Sequence, residues 1–476
     1  MIGKWQVRLA GVMLSLAVTA GCGLGGGDDG VLKELGKDEK ATIKVMYYDE
    51  RSFYDQYGML FSALHPNITV EVVSTQSIRY EEGVDMEAEM DKFIEEQQPD
   101  ILMLSAEKLK TMAEDGKLYD LEPVMAQDKF DTETLLPGLV DYLKEYGGGK
   151  LYGMAPTFYS QAVFYNKDLF DEYGVPYPTD RMSWTDLLQL AQRFPTDGSD
   201  EERVYGLKAG YNSDLYDLGS SIGQTLELKM FNPEKQQVTI DTAGWREVYD
   251  QALAAIQSNS LYFERMNESM PEARTYEDYL LEDPFISGRL AMTIDSLYMM
   301  GQIEEAAEYF KNEPDKVVQN WAMVTMPVNP QNPEYGTNIS LSEIFAINSQ
   351  SPNTRAAWEF IKYVTSDEYA RVNALSGVTG QLSTRTTALK DDEGRNKAAL
   401  YALKPSMSNF YEDFGDLPDN FFSRYYQLAT EELKKAEDGE ASVSEALASL
   451  QEKAQAALLE EQQKEASAMP DPNNGG

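Results

Sequence analysis

The amino-acid sequence predicts an α/β fold, because strand-like and helix-like segments alternate through its first quarter. The strand-like segments alternate in polarity or form short apolar runs, whereas the helix-like segments repeat apolar residues every three or four positions. The alternating segments are Thr42–Tyr48 (strand), Phe53–Leu64 (helix), Ile68–Val73 (strand), Met86–Gln97 (helix), Ile101–Leu104 (strand) and Ala106–Glu114 (helix). This order is typical of a sheet that carries helices on both faces.

Polar residues follow the predicted strands at the sheet edge where ligands of such folds bind. Tyr48, Asp49 and Glu50 lie at the end of the first strand, and Ser105 lies at the end of the third. We therefore expect these four residues in the wall of a ligand site. The alternative for Tyr48, Asp49 and Glu50 is a solvated loop, and for Ser105 it is the start of the next helix.

The rest of the chain continues with strands and helices of the same two kinds. Residues 200–285 read as alternating helix and loop, and 156–166 follows a glycine-rich break at 147–149. We expect further strands at Leu290–Ile294, Trp321–Met326 and Ile344–Ile347, and an amphipathic helix at Thr354–Val364. Two further helices begin with capping residues, at Ser183 with Asp186 and at Ser442 with Glu445.

Composition excludes several classes of function. The 476 residues carry a formal net charge of −39, with 41 Lys and Arg against 80 Asp and Glu, so nothing favours nucleic-acid binding. A single Cys cannot form an intramolecular disulfide, and a single His cannot form a two-His metal site. A His-dependent hydrolase would have to use His65 alone. We therefore expect no metal and no cofactor.

The N-terminus predicts export and a lipid anchor. Residues 1–21 combine Lys4 and Arg8 with a short apolar run and small residues, which is the pattern of a secretory signal. Val18–Cys22 resembles a bacterial lipobox, although Thr19 stands where that pattern usually has Leu. In a lipobox the cysteine becomes the lipidated first residue, so Cys22 is the predicted attachment site. The alternative is an ordinary signal peptide with a chance cysteine.

Residues 22–40 follow as a glycine-rich tether, which a surface-anchored domain needs. We therefore expect the mature protein on the extracellular face of the cell membrane, anchored by lipid, in a Gram-positive bacterium. At the other end of the chain, we expect residues 461–476 to form a disordered tail.

Several short motifs occur in one order along residues 41–460. They are Pro99–Ile101 with Gly116–Leu121, Lys150–Pro156, Val163–Phe170 (VFYNKDLF), Trp184–Leu187, Phe285–Asp295 (FISGRLAMTID), and Ala356–Val364 with Gly377–Ser383. In this order they resemble the extracellular solute-binding proteins of ABC importers, the maltose-binding-like group often called family 1. The VFYNKDLF segment is the most specific of the matches.

This resemblance implies a two-lobed, type II periplasmic-binding-protein-like fold with a hinge between discontinuous lobes. Lobe one is expected at 41–157 plus 290–349, and lobe two at 158–289 plus 350–460. Such a protein is a monomer that holds a solute between its lobes, and an ABC permease in the membrane reads the closed form. The implied solute is a carbohydrate, expected to be an oligosaccharide.

The resemblance also suggests individual ligand contacts. Tyr159 is the leading candidate, because the matching position lies at the hinge and faces the cleft. Asp295, Ser296 and Tyr298 follow the LAMTI strand, where related proteins carry ligand contacts. The alternative for Tyr159 is a core tyrosine at the hinge crossing.

Two weaker candidates complete the expected site. Glu343 directly follows the segment Ile339–Ser342, and Trp245 is able to stack on a sugar ring from lobe two, as is Tyr211. For both aromatic residues, packing in the core is the more common role of such a side chain.

Other functions compete with solute binding. Ser105 and Lys108 fit the S-x-x-K motif of penicillin-recognising enzymes, but the chain lacks the S-D-N and K-T-G motifs that complete that site. A surface-anchored polysaccharide hydrolase needs only two carboxylates, which an acidic chain cannot exclude. A binding protein that serves a sensor kinase would have the same sequence features. We predict a non-enzymatic binding protein.

Overall fold

The computed structural model covers the whole chain and describes ten ranges of it. These are residues 32–36, 38–78, 85–199, 202–210, 214–263, 274–376, 380–389, 394–407, 417–418 and 420–468. Cys22, Tyr211 and the segment 469–476 lie outside the described residues. Within the described ranges, no helix combines the length and the apolar character needed to cross a membrane.

The strands are short to medium in length and are numbered in chain order. They are β1 (Ala41–Tyr47), β2 (Ile68–Ser74), β3 (Ile101–Leu104), β4 (Gly153–Met154), β5 (Thr157–Phe158), β6 (Gln161–Asn166), β7 (Tyr205–Lys208), β8 (Phe231–Asn232), β9 (Gln237–Val238), β10 (Leu290–Ser296), β11 (Trp321–Thr325), β12 (Tyr335–Gly336), β13 (Ile344–Ile347), β14 (Leu382–Ser383) and β15 (Lys404–Pro405).

The α-helices pack around these strands. They are α1 (Glu50–Phe53), α2 (Met59–Leu64), α3 (Met86–Gln97), α4 (Ala106–Glu114), α5 (Glu122–Gln127), α6 (Leu139–Tyr146), α7 (Lys167–Glu172), α8 (Trp184–Ala191), α9 (Leu215–Thr225), α10 (Ala243–Gln257), α11 (Tyr276–Leu281), α12 (Leu297–Tyr309), α13 (Thr354–Val364), α14 (Asp367–Ser376), α15 (Phe421–Glu437) and α16 (Val443–Ala468). A π-helical turn, Tyr54–Gly58, joins α1 to α2.

The first sheet has five strands in the order β2-β1-β3-β13-β4. β1 pairs in parallel with β2 and β3, while β13 runs antiparallel to β3 and β4. Both faces of β1 are buried in its carboxyl-terminal half, at Val45, Met46 and Tyr47, as helices on both sides of a sheet require. The alternation of strands and helices predicted for residues 42–114 is therefore confirmed.

The second sheet has four strands in the order β11-β6-β10-β7. β10 runs antiparallel to β6 and parallel to β7, and β11 runs antiparallel to β6. Alternate residues of β6 point to opposite faces, so Phe164 joins one hydrophobic cluster while Val163 and Tyr165 join another. The two sheets confirm the predicted two-lobed α/β organisation.

The sheets divide the chain differently from the predicted lobe boundaries. β10 and β11 were expected in lobe one, but they form hydrogen bonds with β6 and β7 in the second sheet. Conversely, α13 packs against β1 and β13 of the first sheet, although residues 350–460 were expected in lobe two. The lobe to which a strand belongs depends on its pairing partner, which can lie more than a hundred residues away in the sequence. Hydrophobic periodicity predicts that a segment is a strand, but it does not identify that partner.

The two predicted terminal segments are also more structured than expected. Leu32 exchanges hydrogen bonds with Gln127, its N–H donating to Oε1 at 3.0 Å and its carbonyl accepting from Nε2 at 2.7 Å. The expected flexible tether is therefore attached to the first lobe from Leu32 onwards. At the other end, α16 continues to Ala468, and Glu461 accepts a hydrogen bond from Arg424 at 2.9 Å.

Two antiparallel crossings connect the sheets. One runs from β4 to β6 and the other from β11 to β13. Tyr159 and Ser340 exchange both backbone hydrogen bonds between these crossings, at 2.9 and 3.1 Å. The paired segments form part of the connection between the lobes, because the chain also passes from α13 and α14 beside the first sheet to α15 and α16 of the second lobe.

Candidate ligand-binding site at the connection between the sheets

A cavity of about 220 Å³ lies at the edge of the second sheet, beside the connecting segments. It forms where the carboxyl ends of the parallel strands β7 and β10 meet the amino end of the antiparallel β6. Ser296 of β10 pairs in register with Gln161 of β6, which fixes this edge. The lining residues are Gln161, Trp184, Ala209, Gly210, Ser221, Gln224, Thr225, Ile294, Met326, Thr337 and Asn338.

The lining is polar but carries no formal charge. Gln161, Gln224 and Asn338 contribute amides, and each amide can donate and accept hydrogen bonds. Ser221, Thr225 and Thr337 contribute hydroxyl groups, whereas Trp184, Ile294 and Met326 provide apolar surface. This combination suits a neutral, hydroxylated solute, because every hydroxyl group of such a solute needs both a donor and an acceptor.

Asn338 is held in a fixed orientation beside the cavity. Its Nδ2 donates to the carbonyl oxygen of Gln161 at 2.8 Å and to Oγ of Ser160 at 3.1 Å. Its buried Oδ1 has no hydrogen-bond partner among the described residues. An unpaired buried acceptor is costly, so this oxygen would gain from a donor supplied by a bound solute.

Trp184 lines the cavity from the first turn of α8. Ser183 and Asp186 form a capping box at this helix terminus, as predicted from the sequence. The indole Nε1 donates to Oγ1 of Thr225 at 2.9 Å, and that hydroxyl donates to the carbonyl of Ser221 at 3.0 Å. These bonds orient the indole and the hydroxyl groups of α9 along one wall.

Gly210 lines the cavity two residues after the end of β7. Its φ of +71° lies in the left-handed region, where residues other than glycine are strained. The glycine therefore allows the chain to turn away from the strand, and it leaves the backbone accessible to a solute.

Tyr159 lies on the crossing between the sheets, as the resemblance implied. Its backbone is fixed by the bonds to Ser340, while its side chain is 41% exposed. The ring therefore has a face available for a solute, and the alternative of a buried core tyrosine does not apply.

Tyr48, Asp49, Glu50 and Ser105 lie along the carboxyl edge of the first sheet. Tyr48 is exposed, and its ring lies 5.2 Å from that of Tyr47. Asp49 caps α1 by accepting hydrogen bonds from the backbone N–H and Oγ of Ser52, and these bonds lower the pKa of its carboxyl group. Glu50 is exposed in the first turn of α1.

Ser105 caps α4 and does not form a serine–lysine pair. Its Oγ accepts from the N–H of Lys108 at 3.2 Å, whereas the Lys108 ammonium binds Asp91 and Glu87 at 2.6 and 2.7 Å. The ammonium is thus committed to carboxylates. His65 ends α2 with its ring stacked on Phe61 at 4.6 Å.

Asp295, Ser296 and Tyr298 lie at the carboxyl end of β10, on the edge that Gln161 shares. Burial raises the pKa of Asp295, although a hydrogen bond from the N–H of Ser296 opposes this effect. Ser296 caps α12 by accepting from the N–H of Tyr298 at 3.3 Å. Tyr298 itself is exposed.

Glu343 and Trp245 have buried positions in this structure. Both carboxylate oxygens of Glu343 accept hydrogen bonds, from Tyr47 at 2.9 Å and from Tyr57. The indole of Trp245 is 1% exposed, and it donates to the carbonyl of Lys229 at 3.1 Å. This placement corrects the prediction that Trp245 stacks on a solute, because the ring offers no accessible face and packs against Tyr249.

Sequence reasoning missed three amides of the cavity. Gln161 lies two residues after Tyr159 and is the first residue of β6, the strand that contains the start of the VFYNKDLF motif. This position next to the leading candidate could have indicated that Gln161 lines the site. Gln224 and Asn338 come from a helix and a crossing that converge only in three dimensions. Within the described ranges, no cluster of three or more His, Cys, Asp or Glu side chains could hold a metal ion.

Comparison with known proteins agrees with this architecture. The family model for the bacterial extracellular solute-binding proteins matches residues 37–371. The chain belongs to this family. A relative from Streptococcus pneumoniae strain R6, the maltooligosaccharide ABC transporter solute-binding lipoprotein, is 22% identical over 325 residues. The matched region covers 65% of this solute-binding protein and 66% of the pneumococcal relative.

Solved structures share the fold of this solute-binding protein. A family 1 extracellular solute-binding protein from Alicyclobacillus acidocaldarius superposes with a TM-score of 0.61 at 14% identity, over 90% of this chain and all of the other. The sugar-binding protein MalE of Xanthomonas citri gives 0.58 at 16% identity, with the same coverage. A sugar transporter protein of Rhizobium etli in an open conformation gives 0.57 at 19%, over 87% and 99% of the two chains.

Proposed function

We propose that this protein captures a carbohydrate, in particular an oligosaccharide, between its two lobes. The observation that carries this proposal is the uncharged lining of amides and hydroxyl groups at the connection between the sheets. A site for an ion or an amino acid would need a fixed opposite charge, whereas a sugar needs paired donors and acceptors. The name of the pneumococcal relative, which refers to a maltooligosaccharide, supports the same solute class.

The ligand site extends to both lobes in this proposal. Tyr159 offers a ring face from the crossing, and Tyr48 with Ser105 lies on the edge of the first sheet. Gln161, Gln224 and Asn338 act from the second sheet. A solute that contacts both edges stabilises the closed arrangement, and an ABC permease in the membrane then receives the solute from that form.

The proposal also includes the lipid anchor. Cys22 is the only cysteine of the chain, and it follows an apolar segment with the pattern of a signal peptide. Acylation of Cys22 would hold the protein on the extracellular face of the membrane while the folded part remains in solution. Mass spectrometry of membrane-extracted protein would detect the acyl chains, and Cys22→Ser should release the protein into the medium.

A panel of neutral mono- and oligosaccharides tests the proposed function by thermal unfolding. A sugar present at 100 times its Kd adds about 2.7 kcal/mol to the free energy of unfolding, which raises the Tm. Gln161→Ala should remove the shift for that sugar. Gln192→Ala, which changes an exposed glutamine at the end of α8, is the matched control and should retain it.

Two outcomes would contradict the proposed function. A peptide, amino acid or ion that shifts the Tm when no sugar does would show that the solute class is wrong. Release of shorter products from a labelled polysaccharide would instead show that the protein is a hydrolase.

A further inference from the structure

Four exposed tyrosines form a continuous row on the second lobe, which we term the tyrosine stripe. Its members are Tyr298 and Tyr309 of α12 and Tyr276 and Tyr279 of α11. Tyr298 is 59% exposed, and each of the other three is 49% exposed. Large aromatic side chains at this exposure are common singly, but four in mutual contact indicate a binding surface.

The rings of the stripe contact one another in sequence. Tyr279 lies next to Tyr298, whose electrostatic interaction with it raises the pKa of the Tyr279 hydroxyl group. The rings of Tyr279 and Tyr276 are stacked with centroids 6.2 Å apart, and the Tyr276 ring meets that of Tyr309 edge-on at 5.2 Å. The hydroxyl group of Tyr276 also donates to Glu305 of α12. These contacts restrict the rings, so that a ligand would meet a prearranged surface at low entropic cost.

The stripe is long relative to a single sugar site. Tyr298, Glu305 and Tyr309 lie seven and then four residues apart, which places them on one face of α12. The eleven residues from Tyr298 to Tyr309 correspond to about 16 Å along the helix axis. A linear ligand could therefore contact several rings at once.

Gly301 leaves an uncovered area on the exposed face of α12. It lies on the exposed face of α12, three residues after Tyr298, and a Cβ at this position would have no neighbouring atom within 4 Å. Glycine inside a helix is less stable than alanine, and no packing requirement explains it here. The missing side chain leaves a bare area between Tyr298 and Glu305, where a ligand can approach the backbone closely.

The charges around the stripe restrict the class of ligand. Three cations near the stripe already have carboxylate partners. The ion pairs are Arg274 with Glu282 at 2.7 Å, Lys311 with Glu308 at 2.6 Å and Lys316 with Glu277 at 2.8 Å. Glu305 adds a further carboxylate between the rings. Paired cations among surplus carboxylates disfavour phosphates, acidic polysaccharides and anionic lipids. Aromatic faces with carboxylate acceptors suit the apolar faces and hydroxyl groups of neutral sugars.

The stripe begins at the edge that carries the proposed ligand site. Tyr298 follows Ser296 by two residues, and Ser296 pairs in register with Gln161 of the cavity. We propose that Tyr279, Tyr276, Tyr309 and Gly301 extend the ligand site and bind the part of a linear neutral glycan that leaves the cleft. This inference rests on the proposed function, and it specifies long glycan chains as the solute.

Calorimetric titration with neutral glucans and xylans of two lengths tests this inference. The probes are the dimer and the hexamer of the malto-, cello- and xylo-oligosaccharide series. In the series that binds, the hexamer should bind about tenfold more tightly than the dimer, as expected from additional ring contacts. Tyr276→Ala, Tyr309→Ala and Gly301→Leu should each remove most of this difference and leave the Kd of the dimer unchanged.

Two controls separate the stripe from the cleft. Tyr173→Ala changes a tyrosine that is 40% exposed on another helix terminus, and it should keep the length preference. Gln161→Ala should weaken the dimer and the hexamer by the same factor. Equal affinity of the two lengths in the unmodified protein, or a length preference that survives all three stripe variants, would overturn the inference. Failure of all three series, when another sugar of the thermal panel binds, would overturn this inference alone, whereas failure of every sugar of the panel would overturn the proposed function as well.

Discussion

Single residues show how burial changes the role of a side chain near the connection between the lobes. Glu343 precedes β13, and its two oxygens accept hydrogen bonds from Tyr47 and Tyr57. Burial raises the pKa of its carboxyl group, although the bonds from Tyr57 and Tyr47 act in the opposite direction. Glu343 therefore links β1 and the π-helical turn to the crossing. It holds these segments in place and is not accessible to a solute.

The raised pKa of Glu343 predicts a specific pH dependence of stability. Over the range between its ordinary and its raised pKa, the folded protein retains a proton that the unfolded chain has lost. This carboxyl group therefore lowers the free energy of unfolding as the pH rises through that range. Glu343→Gln should flatten this part of the profile, measured by urea unfolding from about pH 4 to about pH 8. Parallel profiles for the two proteins would contradict the assignment.

Tyr159 provides the corresponding prediction for binding. Tyr159→Ala should weaken the affinity for the sugar identified by the panel about fivefold, because an aromatic contact contributes on the order of 1 kcal/mol. The Tm without ligand should change little, since the side chain is exposed. Tyr159→Phe should retain most of the affinity if the ring face makes the contact. Unchanged affinity of Tyr159→Ala, measured by calorimetry, would remove Tyr159 from the site.

Two tryptophans of the second lobe, Trp184 and Trp245, show the limit of prediction at this scale. Trp245 and Trp184 both follow a capping residue in a helix, so their sequence contexts are similar. The indole of Trp245 packs directly against Gly223 of α9, where a Cβ would come within 2.1 Å of the ring. The close approach of two helices buries that ring. Such a contact between distant segments leaves no local pattern in the sequence.

Individual helices and strands were largely predictable, because their signals are local. Met86–Gln97 is helical over the predicted range, and Asp85 caps it. The capping box of Ser442 and Glu445 precedes α16 as expected. By contrast, β7 was read as part of an alternation of helix and loop. All four of its residues are buried, so it lacks the polar alternation that identifies a strand.

A buried ion-pair network attaches α13 to the segment after α5. The carboxylate of Asp128 accepts two hydrogen bonds from the Arg355 guanidinium, both at 2.9 Å. It also accepts one from the Lys362 ammonium at 2.8 Å and one from the Trp358 indole at 3.0 Å. Burial alone would raise the pKa of Asp128, but the bonds from Arg355, Lys362 and Trp358 outweigh burial and hold it well below the ordinary range.

This network predicts that Asp128→Asn strongly destabilises the first lobe. Removing one partner of a buried pair leaves an uncompensated charge and costs about 3–5 kcal/mol. Because the pKa of Asp128 is depressed, its contribution is present above the ordinary pKa of an aspartate and is lost as the pH falls. Urea unfolding near neutral pH should show the loss. A smaller difference at acidic pH is expected, and an equal difference at both pH values would contradict the account.

The whole molecule behaves as two lobes joined by paired crossings, which predicts closure around a solute. The described residues contain no cysteine, so a Cys22→Ser background allows clean labelling at two introduced sites. Lys110 of α4 and Glu452 of α16 are exposed positions on different lobes. With spin labels at these positions, a saturating sugar should change and narrow the distribution of distances. An unchanged distribution with bound sugar would exclude hinge closure.

The ordered motifs identified the two-lobed fold from the sequence, but they did not locate the boundary between the lobes. Motif order follows the chain, whereas the boundary depends on which strands pair. β10 lies beside β6 and β7 because their side chains form common clusters on both faces of the sheet. The cavity amides were missed for the same reason, since the pairing of Ser296 with Gln161 creates that edge.

Native mass spectrometry of freshly purified protein tests whether the protein holds a carbohydrate, because a tightly held solute leaves its mass on the folded chain. We expect an additional mass equal to a small number of linked neutral sugar units, and the adduct should be absent from Gln161→Ala. A peptide, an amino acid or another solute of a different class at the same stoichiometry would contradict this expectation.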